Sequence, residues 1–277
     1  MTENSLPLTP PPKQGRNPVV TVILPIYNAE RFLRETVLSI RAQTFQNFEV
    51  IAILDGCTDR SEEILNELKD ERLVVVKKEN NQGIVASLNL GVERASAPYL
   101  ARMDHDDVMH PDRLKKQVEF LDSHPEIVLA GTRFDYIDER GRFVKEAMTF
   151  PTGHEEIKQQ LRRFNCIGGP TTMCRTAQIR EIGGYLPDYP LCEDLSLYFR
   201  LLVHGWRLAN LPDVLLHYRI HAGQTSRKRL AQINSLALRA YREFGPLIWG
   251  DVPNVEFGAP LQRRIVRRVR RLFTKTK

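Results

Sequence analysis

The sequence has no run approaching the roughly 18 uninterrupted apolar residues that a membrane-spanning helix needs, so no segment of it reads as a transmembrane helix. No basic stretch followed by an apolar one opens the chain, so no secretory signal is expected. Its four cysteines, Cys57, Cys166, Cys174 and Cys192, form no CxxC pair and no zinc spacing. Free or buried thiols in a reducing cytosol are the expectation. There is no internal repeat. An evenly spread positive charge is also missing. Of the 40 basic residues, eight fall in 262–277 with no acid among them, so the body keeps 32 against 34 acids, near −2. The net +6 is a property of the tail, and no nucleic-acid-binding face is expected.

What is present supports a real core. Hydrophobic residues make up 42% of 277, enough for one large α/β domain with a decorated second half, or two small domains. Residues 1–17 hold four prolines and no periodicity, which predicts a disordered leader. Residues 19–24 form a continuous β-rich run that Pro25 is expected to end. Asn28 then suits the N-cap of a helix whose apolar positions are Phe32, Leu33, Val37 and Ile40. Further strands are expected at 48–54, 73–77 and 99–103, with helices from about 61 to 68 and from the 80–83 turn to about 95. This alternation argues for a parallel sheet. Beyond 107 the rhythm changes. We expect a helix at 113–121, strand-like segments at 127–131 and 134–137, and a helix at 154–163. A flexible link at 167–173, an apolar helix from about 191 to 203, a last strand at 214–221 and a helix at 226–244 follow. Residues 261–273 place Leu261, Ile265, Val266, Val269, Leu272 and Phe273 opposite six arginines, a basic amphipathic helix suited to anionic lipid headgroups or to folding back on the body.

The stretch from Tyr99 to Asp107 carries the chemistry. An apolar run ends in Asp104, Asp106 and Asp107, three carboxylates within four residues. Such a group repels itself unless a positive charge lies between its members. A hard divalent cation, Mg²⁺ or Mn²⁺, itself holding a phosphate-bearing ligand, satisfies that need. Its place at the carboxyl end of a strand is where open α/β sheets bind ligands. A solvated acidic turn capping the next helix is the alternative. Two more strand ends deliver polar groups to the same edge: Tyr27 and Asn28, then Asp55.

These residues resemble the family-2 nucleotide-sugar glycosyltransferases of the GT-A fold, over about 19–226. Residues 22–28 are similar to the family's opening strand motif, and 54–59 to its acidic turn. Asn81-Gln82-Gly83 matches its Asn-x-Gly element, and 102–107 its metal-binding DxD motif, with Pro111, Arg113, Leu114 and Gln117 following. Glu193-Asp194 matches its base motif and 218–221 its closing motif. Three positions depart from the pattern: Leu54 replaces an acid, Leu88 a basic residue and Gly169 a histidine.

The resemblance implies an α/β fold of GT-A type. It has a Rossmann-like, mostly parallel sheet with helices on both faces, a mixed acceptor-side half and C-terminal helices. The divisions implied are a nucleotide part at about 18–107, an acceptor-side part at about 108–225 and a helical extension at 226–277. Pro25, Tyr27 and Asn28 would frame the base, Asp55 would hydrogen-bond it, and Asn81 and Gly83 would lie near the nucleoside. Asp104 would contact ribose or donor sugar. Asp106, with His221, would ligate Mn²⁺ or Mg²⁺, and Arg219 would lie close to the pyrophosphate. Asp194 would be the general base, with Glu193 beside the acceptor. The implied activity is metal-dependent, inverting sugar transfer from a UDP-sugar, with dTDP- or GDP-sugars as alternatives, to a glycan or lipid-linked acceptor. The expected location is cytoplasmic, peripheral on the inner membrane face through residues 261–277. The rivals are a non-catalytic nucleotide-sugar-binding relative and a sugar-phosphate nucleotidyltransferase. The latter would carry a glycine-rich loop where Pro25-Ile26-Tyr27-Asn28 stands.

Overall fold

The computed structural model describes residues 17–147 and 149–255. The leader, apart from Asn17, and the basic segment 261–277 lie outside the described residues. The first half alternates strand and helix: β1 (Val20–Ile26), α1 (Leu33–Arg41), β2 (Phe48–Asp55), α2 (Ser61–Leu68), β3 (Leu73–Lys78), α3 (Ile84–Arg94) and β4 (Tyr99–Arg102). These four strands are parallel, with β1 between β2 and β4. Their apolar runs are continuous because both faces are covered. Val20, Val22, Leu24 and Ile26 pack with residues of α1 and α2 in one core, while Ile23 packs with Val85, Leu88 and Val92 of α3 in the other.

The second half adds β5 (Val108–Met109), α4 (Arg113–Ser123), β6 (Ile127–Ile137), β7 (Phe143–Glu146), α5 (His154–Leu161) and a 3₁₀ turn at Gly169–Thr171. It continues with β8 (Met173–Arg175), α6 (Thr176–Glu181), α7 (Glu193–Val203), β9 (Arg207–Arg219), α8 (Thr225–Lys228) and α9 (Leu230–Trp249). One sheet takes up all nine strands of the described residues in the order β3-β2-β1-β4-β8-β6-β9-β5, with β7 also on β6. β8 runs antiparallel to both β4 and β6, so it joins the parallel half to the mixed half. α9 closes the far side by packing Tyr241 and Phe244 on Phe199 of α7.

Four local expectations are corrected. Pro25 does not end β1, which runs on to Ile26. Its carbonyl meets His105 on the side where β4 has already stopped pairing at Arg102, so its missing N–H leaves no ladder bond unmade. Asn28 does not cap α1, which begins at Leu33 after Phe32. Asn28 sits instead at φ 48° and accepts a hydrogen bond from the Thr58 amide at 2.9 Å, lacing two loops together. The segments 127–131 and 134–137 are one strand, and β9 starts at Arg207 rather than 214. Register shifts near Thr132–Phe134 let the β6–β9 ladder pass Pro212 without breaking.

A buried pair of side chains fixes the strand ends that matter below. Arg113 donates to the carbonyls of Arg102 (2.9 Å) and Thr172 (3.2 Å). Gln117 donates to those of Ala130 (2.8 Å) and Thr171 (2.9 Å) and accepts from Arg113. The end of β4, β6 at Ala130 and the 169–172 turn are thereby held to one helix. On the other face, α3 approaches β1 so closely that a Cβ on Gly91 would lie 2.4 Å from Ile23 Cγ2. Gly91→Ala overpacks this contact and should cost about 1–3 kcal/mol. Urea denaturation should show a lower midpoint at unchanged slope.

Candidate active site

The loop after β4 carries three carboxylates, and each has a different partner. Asp104 Oδ1 accepts from Arg102 Nε at 3.1 Å. Asp106 Oδ2 meets His221 Nε2 at 2.9 Å. Asp107 Oδ1 accepts from the Arg219 amide at 2.9 Å, and its other oxygen has no hydrogen-bond partner. Burial works against a charge on Asp106, but the His221 hydrogen bond and nearby His105 outweigh it and hold the carboxyl below its ordinary range. Burial and repulsion from Asp106 and Asp104 push Asp107 far the other way, beyond what the Arg219 amide can offset. The charged form is therefore favoured at Asp106 and disfavoured at Asp107.

The loop's shape comes from behind. Thr36 of α1 donates to the carbonyls of His105 and Asp107. Arg219, fully buried, donates to the Asp106 carbonyl (2.8 Å), the Asp138 carbonyl (3.2 Å) and Glu35 (2.7 Å), and lies over the Phe32 ring. Its guanidinium is thus engaged in shaping the loop that presents Asp106, with His221 two residues on.

Arg102 connects this loop to the start of α7. Besides Asp104, it reaches Glu193 Oε1 at 2.9 Å. Asp194 is next in the chain, and its carboxyl lies close enough that a Cβ on Gly169 would be 3.4 Å from its Oδ2 and 3.2 Å from Arg102 Nη1. Asn165 donates to Asp194 Oδ2 (3.0 Å) and the Leu195 amide to Oδ1 (2.7 Å). Asp194 retains some surface while its carboxyl group lies deep. That burial, and then the Glu193 charge, push it up to about 6 against the pull of Arg102. A carboxyl poised there accepts protons efficiently near neutral pH.

The nucleotide-side candidates cluster at the same sheet edge. Tyr27, at the tip of β1, is 47% exposed, which leaves its ring available for stacking. Pro25 is in the strand, its carbonyl held by His105. Asp55 is buried, accepts from the amides of Gln82 (2.8 Å) and Gly83 (2.9 Å), and forms an ion pair with the Lys78 ammonium (2.7 Å). Both its oxygens are engaged in shaping the 81–83 turn. Asn81 Oδ1 also accepts from the Gly83 amide, and Gly83 has φ 88°, where a side chain would be strained.

The donor chemistry at Asp106 and His221 suits a hard divalent cation. It offers one anionic carboxylate and one imidazole side by side, and such ions take their remaining positions from phosphate and water. Among the described residues no three His, Cys, Asp or Glu side chains group to hold a metal. Sequence reasoning missed the roles of Arg102, Asn165, Thr36 and Lys78. Only Arg102 carried a signal, a basic residue set directly against the acidic cluster.

A family model described as "Glycosyl transferase family 2" matches residues 21–179. An uncharacterized glycosyltransferase of Haemophilus influenzae is 34% identical over 82% of this chain and 73% of its own. The amylovoran biosynthesis glycosyltransferase AmsE of Erwinia amylovora is 31% identical over 76% of this chain and 79% of its own. Two solved structures share the fold. S. aureus TarS (residues 1–349) with UDP-GlcNAc has a TM-score of 0.67 at 21% identity, covering 81% of this chain; this chain spans 66% of that one. The Pyrobaculum calidifontis mannosyltransferase PcManGT with GDP-Man and Mn²⁺ has a TM-score of 0.63 at 18% identity, covering 87% of this chain and 67% of that one. The mixed, mostly parallel sheet is thus of the GT-A type.

The engagement of Asp55 is directly testable. Asp55→Ala leaves Lys78 buried without its counter-ion and frees two amides, and should cost about 3 kcal/mol or more in urea unfolding. An effect under about 0.5 kcal/mol, the range of ordinary surface substitutions, would deny it that role.

Proposed function

The chain belongs to glycosyl transferase family 2, and on that premise we propose that it is a metal-dependent, inverting transferase. It moves a sugar from a nucleotide-sugar, a UDP-sugar by our reading, to a hydroxyl of a glycan or lipid-linked acceptor. The observation that carries this is the gathering of Asp104, Glu193 and Asp194 around Arg102, with Asp106, on the same loop as Asp104, paired to His221.

Asp106 and His221 would hold Mn²⁺ or Mg²⁺, whose chemistry is to neutralise the charge that builds on a departing nucleoside diphosphate. Tyr27 and the 81–83 turn receive the nucleoside, and Asp104 the ribose or donor sugar. Asp194 takes the proton of the acceptor hydroxyl while that oxygen bonds to the anomeric carbon and the bond to the diphosphate breaks. Asn165 and the Leu195 amide keep the Asp194 carboxylate oriented for this step. Direct attack with one base needs no covalent intermediate and inverts the anomeric centre.

UDP is favoured by the likeness to TarS, which is solved with UDP-GlcNAc. A GDP-sugar is the competing donor, given the likeness to PcManGT with GDP-Man. A polysaccharide acceptor is supported by the similarity to AmsE, named for amylovoran biosynthesis. No helix among the described residues is long and apolar enough to cross a membrane. We assign contact with an anionic inner membrane face to residues 261–277 on their sequence pattern alone.

A thermal-shift panel of UDP-, dTDP- and GDP-sugars with Mn²⁺ identifies the donor, since a ligand bound only by the folded state raises its stability. Asp106→Ala should abolish the Mn²⁺ stimulation of nucleotide binding; unchanged stimulation would remove Asp106 from the metal site. Donor turnover should rise with pH and level off above about 6 as Asp194 loses its proton. Asp194→Asn should lower kcat at least 100-fold while nucleotide binding persists. Near-wild-type turnover in that variant would mean that another group is the base.

A further inference from the structure

Four aromatic rings meet beside the site without being fully covered. Phe134 and Tyr136 alternate along β6, and Tyr136 is paired across the ladder with Tyr218 of β9, so all three share one face. Their centroids lie 5.4 Å (Phe134–Tyr136), 5.7 Å (Phe134–Tyr218) and 5.7 Å (Tyr136–Tyr218) apart. Phe150 joins Phe134 at 6.0 Å, and the Lys145 ammonium sits 4.4 Å from the Tyr136 ring centroid. Each of the four aromatic residues keeps part of its surface open. Phe134, Tyr218 and Phe150 also pack against the two cores, so what the cluster presents is the part of each ring that this packing leaves uncovered.

Its position says what it binds. A Cβ on Gly168 would lie 3.1 Å from Phe134, and one on Gly169, the next residue, 3.4 Å from Asp194 Oδ2. The patch therefore begins within two residues of the carboxylate assigned as base. At its other side, Tyr218 precedes Arg219, whose amide holds Asp107. We propose that Tyr136, with Phe134 and Phe150, is the platform on which a pyranose ring of the acceptor lies while its hydroxyl is presented to Asp194. This rests on the transferase reading above and adds the acceptor's seat.

A pyranose has an apolar C–H face and a rim of hydroxyls. The C–H face covers an aromatic face, whose quadrupole is negative. The rim finds the Tyr136 hydroxyl and the Lys145 ammonium at the edge of the same patch. A hydrocarbon chain would cover the rings equally well, but would offer the Tyr136 hydroxyl no hydrogen-bond partner.

Saturation-transfer NMR tests this on the full chain with UDP and Mn²⁺ present. The probes are the butyl β-glycosides of glucose, galactose, mannose and N-acetylglucosamine. At least one should receive saturation on its ring protons. Tyr136→Ala should weaken that binding more than fivefold, Tyr136→Phe should weaken it less, by the loss of one hydrogen bond, and Mn²⁺-dependent UDP affinity should be unchanged in both. Phe150→Ala, in a loop outside the strand ladder, is the second variant and should weaken glycoside binding in the same way should Tyr136→Ala not fold. The proposal is overturned if the folded alanine variants bind like wild type, if no glycoside binds wild type, or if saturation is confined to the butyl tail. Loss of UDP binding by wild type itself would instead remove the transferase reading, and the platform with it.

Discussion

The site depends on one buried guanidinium. Asp104, Glu193 and Asp194 come from positions about 90 residues apart in the chain, and without a positive charge among them they could not share a partly buried space. Two like charges a few ångströms apart in low dielectric repel by several kcal/mol. Arg102 sits among them, pairing with Asp104 and Glu193 and favouring the charged form of Asp194. Burial alone would disfavour its charge, but the acids around it outweigh that. The space it occupies is the space a side chain at position 169 would need, and Gly169 leaves it open. With no side chain at Gly169 in the way, Arg102 supplies the cation beside Asp194.

A second guanidinium does the same for the metal side. Arg219 is buried with its donors spread over the Asp106 carbonyl, the Asp138 carbonyl and Glu35. It ties the acidic loop, the β6–β7 turn and α1 to the end of β9. His221, two residues further on, is thereby held against Asp106. Donor-side and acceptor-side acids are each organised by an arginine whose own partners lie far away in sequence. Breaking either would be felt as lost geometry before it was felt as lost charge.

How far the sequence revealed this follows from the range of the interactions involved. Strands β1 to β4 were legible because both faces are covered, which leaves uninterrupted apolar runs. The acidic loop was legible because like charges rarely crowd without reason. The join of β6 and β9 was not, because Pro212 and the register shifts near Thr132 break the pattern that a period-two reading needs. Pro25 misled for the opposite reason: its missing N–H falls where the neighbouring strand has ended. The role of Arg102 was out of reach because its partner Glu193 is fixed only once β8 has joined the two halves of the sheet. Asp55 and Arg219 could be placed near the site from sequence, but the hydrogen bonds that engage them are long-range and had no local signature.

The most direct test of Arg102 as the charge that organises the site is the pH profile of donor turnover in Arg102→Met, beside Arg102→Lys. Removing the positive charge disfavours the ionised form of Asp194, so its acid limb, at about 6 in the native chain, should move upward by about one pH unit or more. Arg102→Lys should restore part of the difference. An acid limb that stays at the native pH while the folded variant merely turns over more slowly would contradict it.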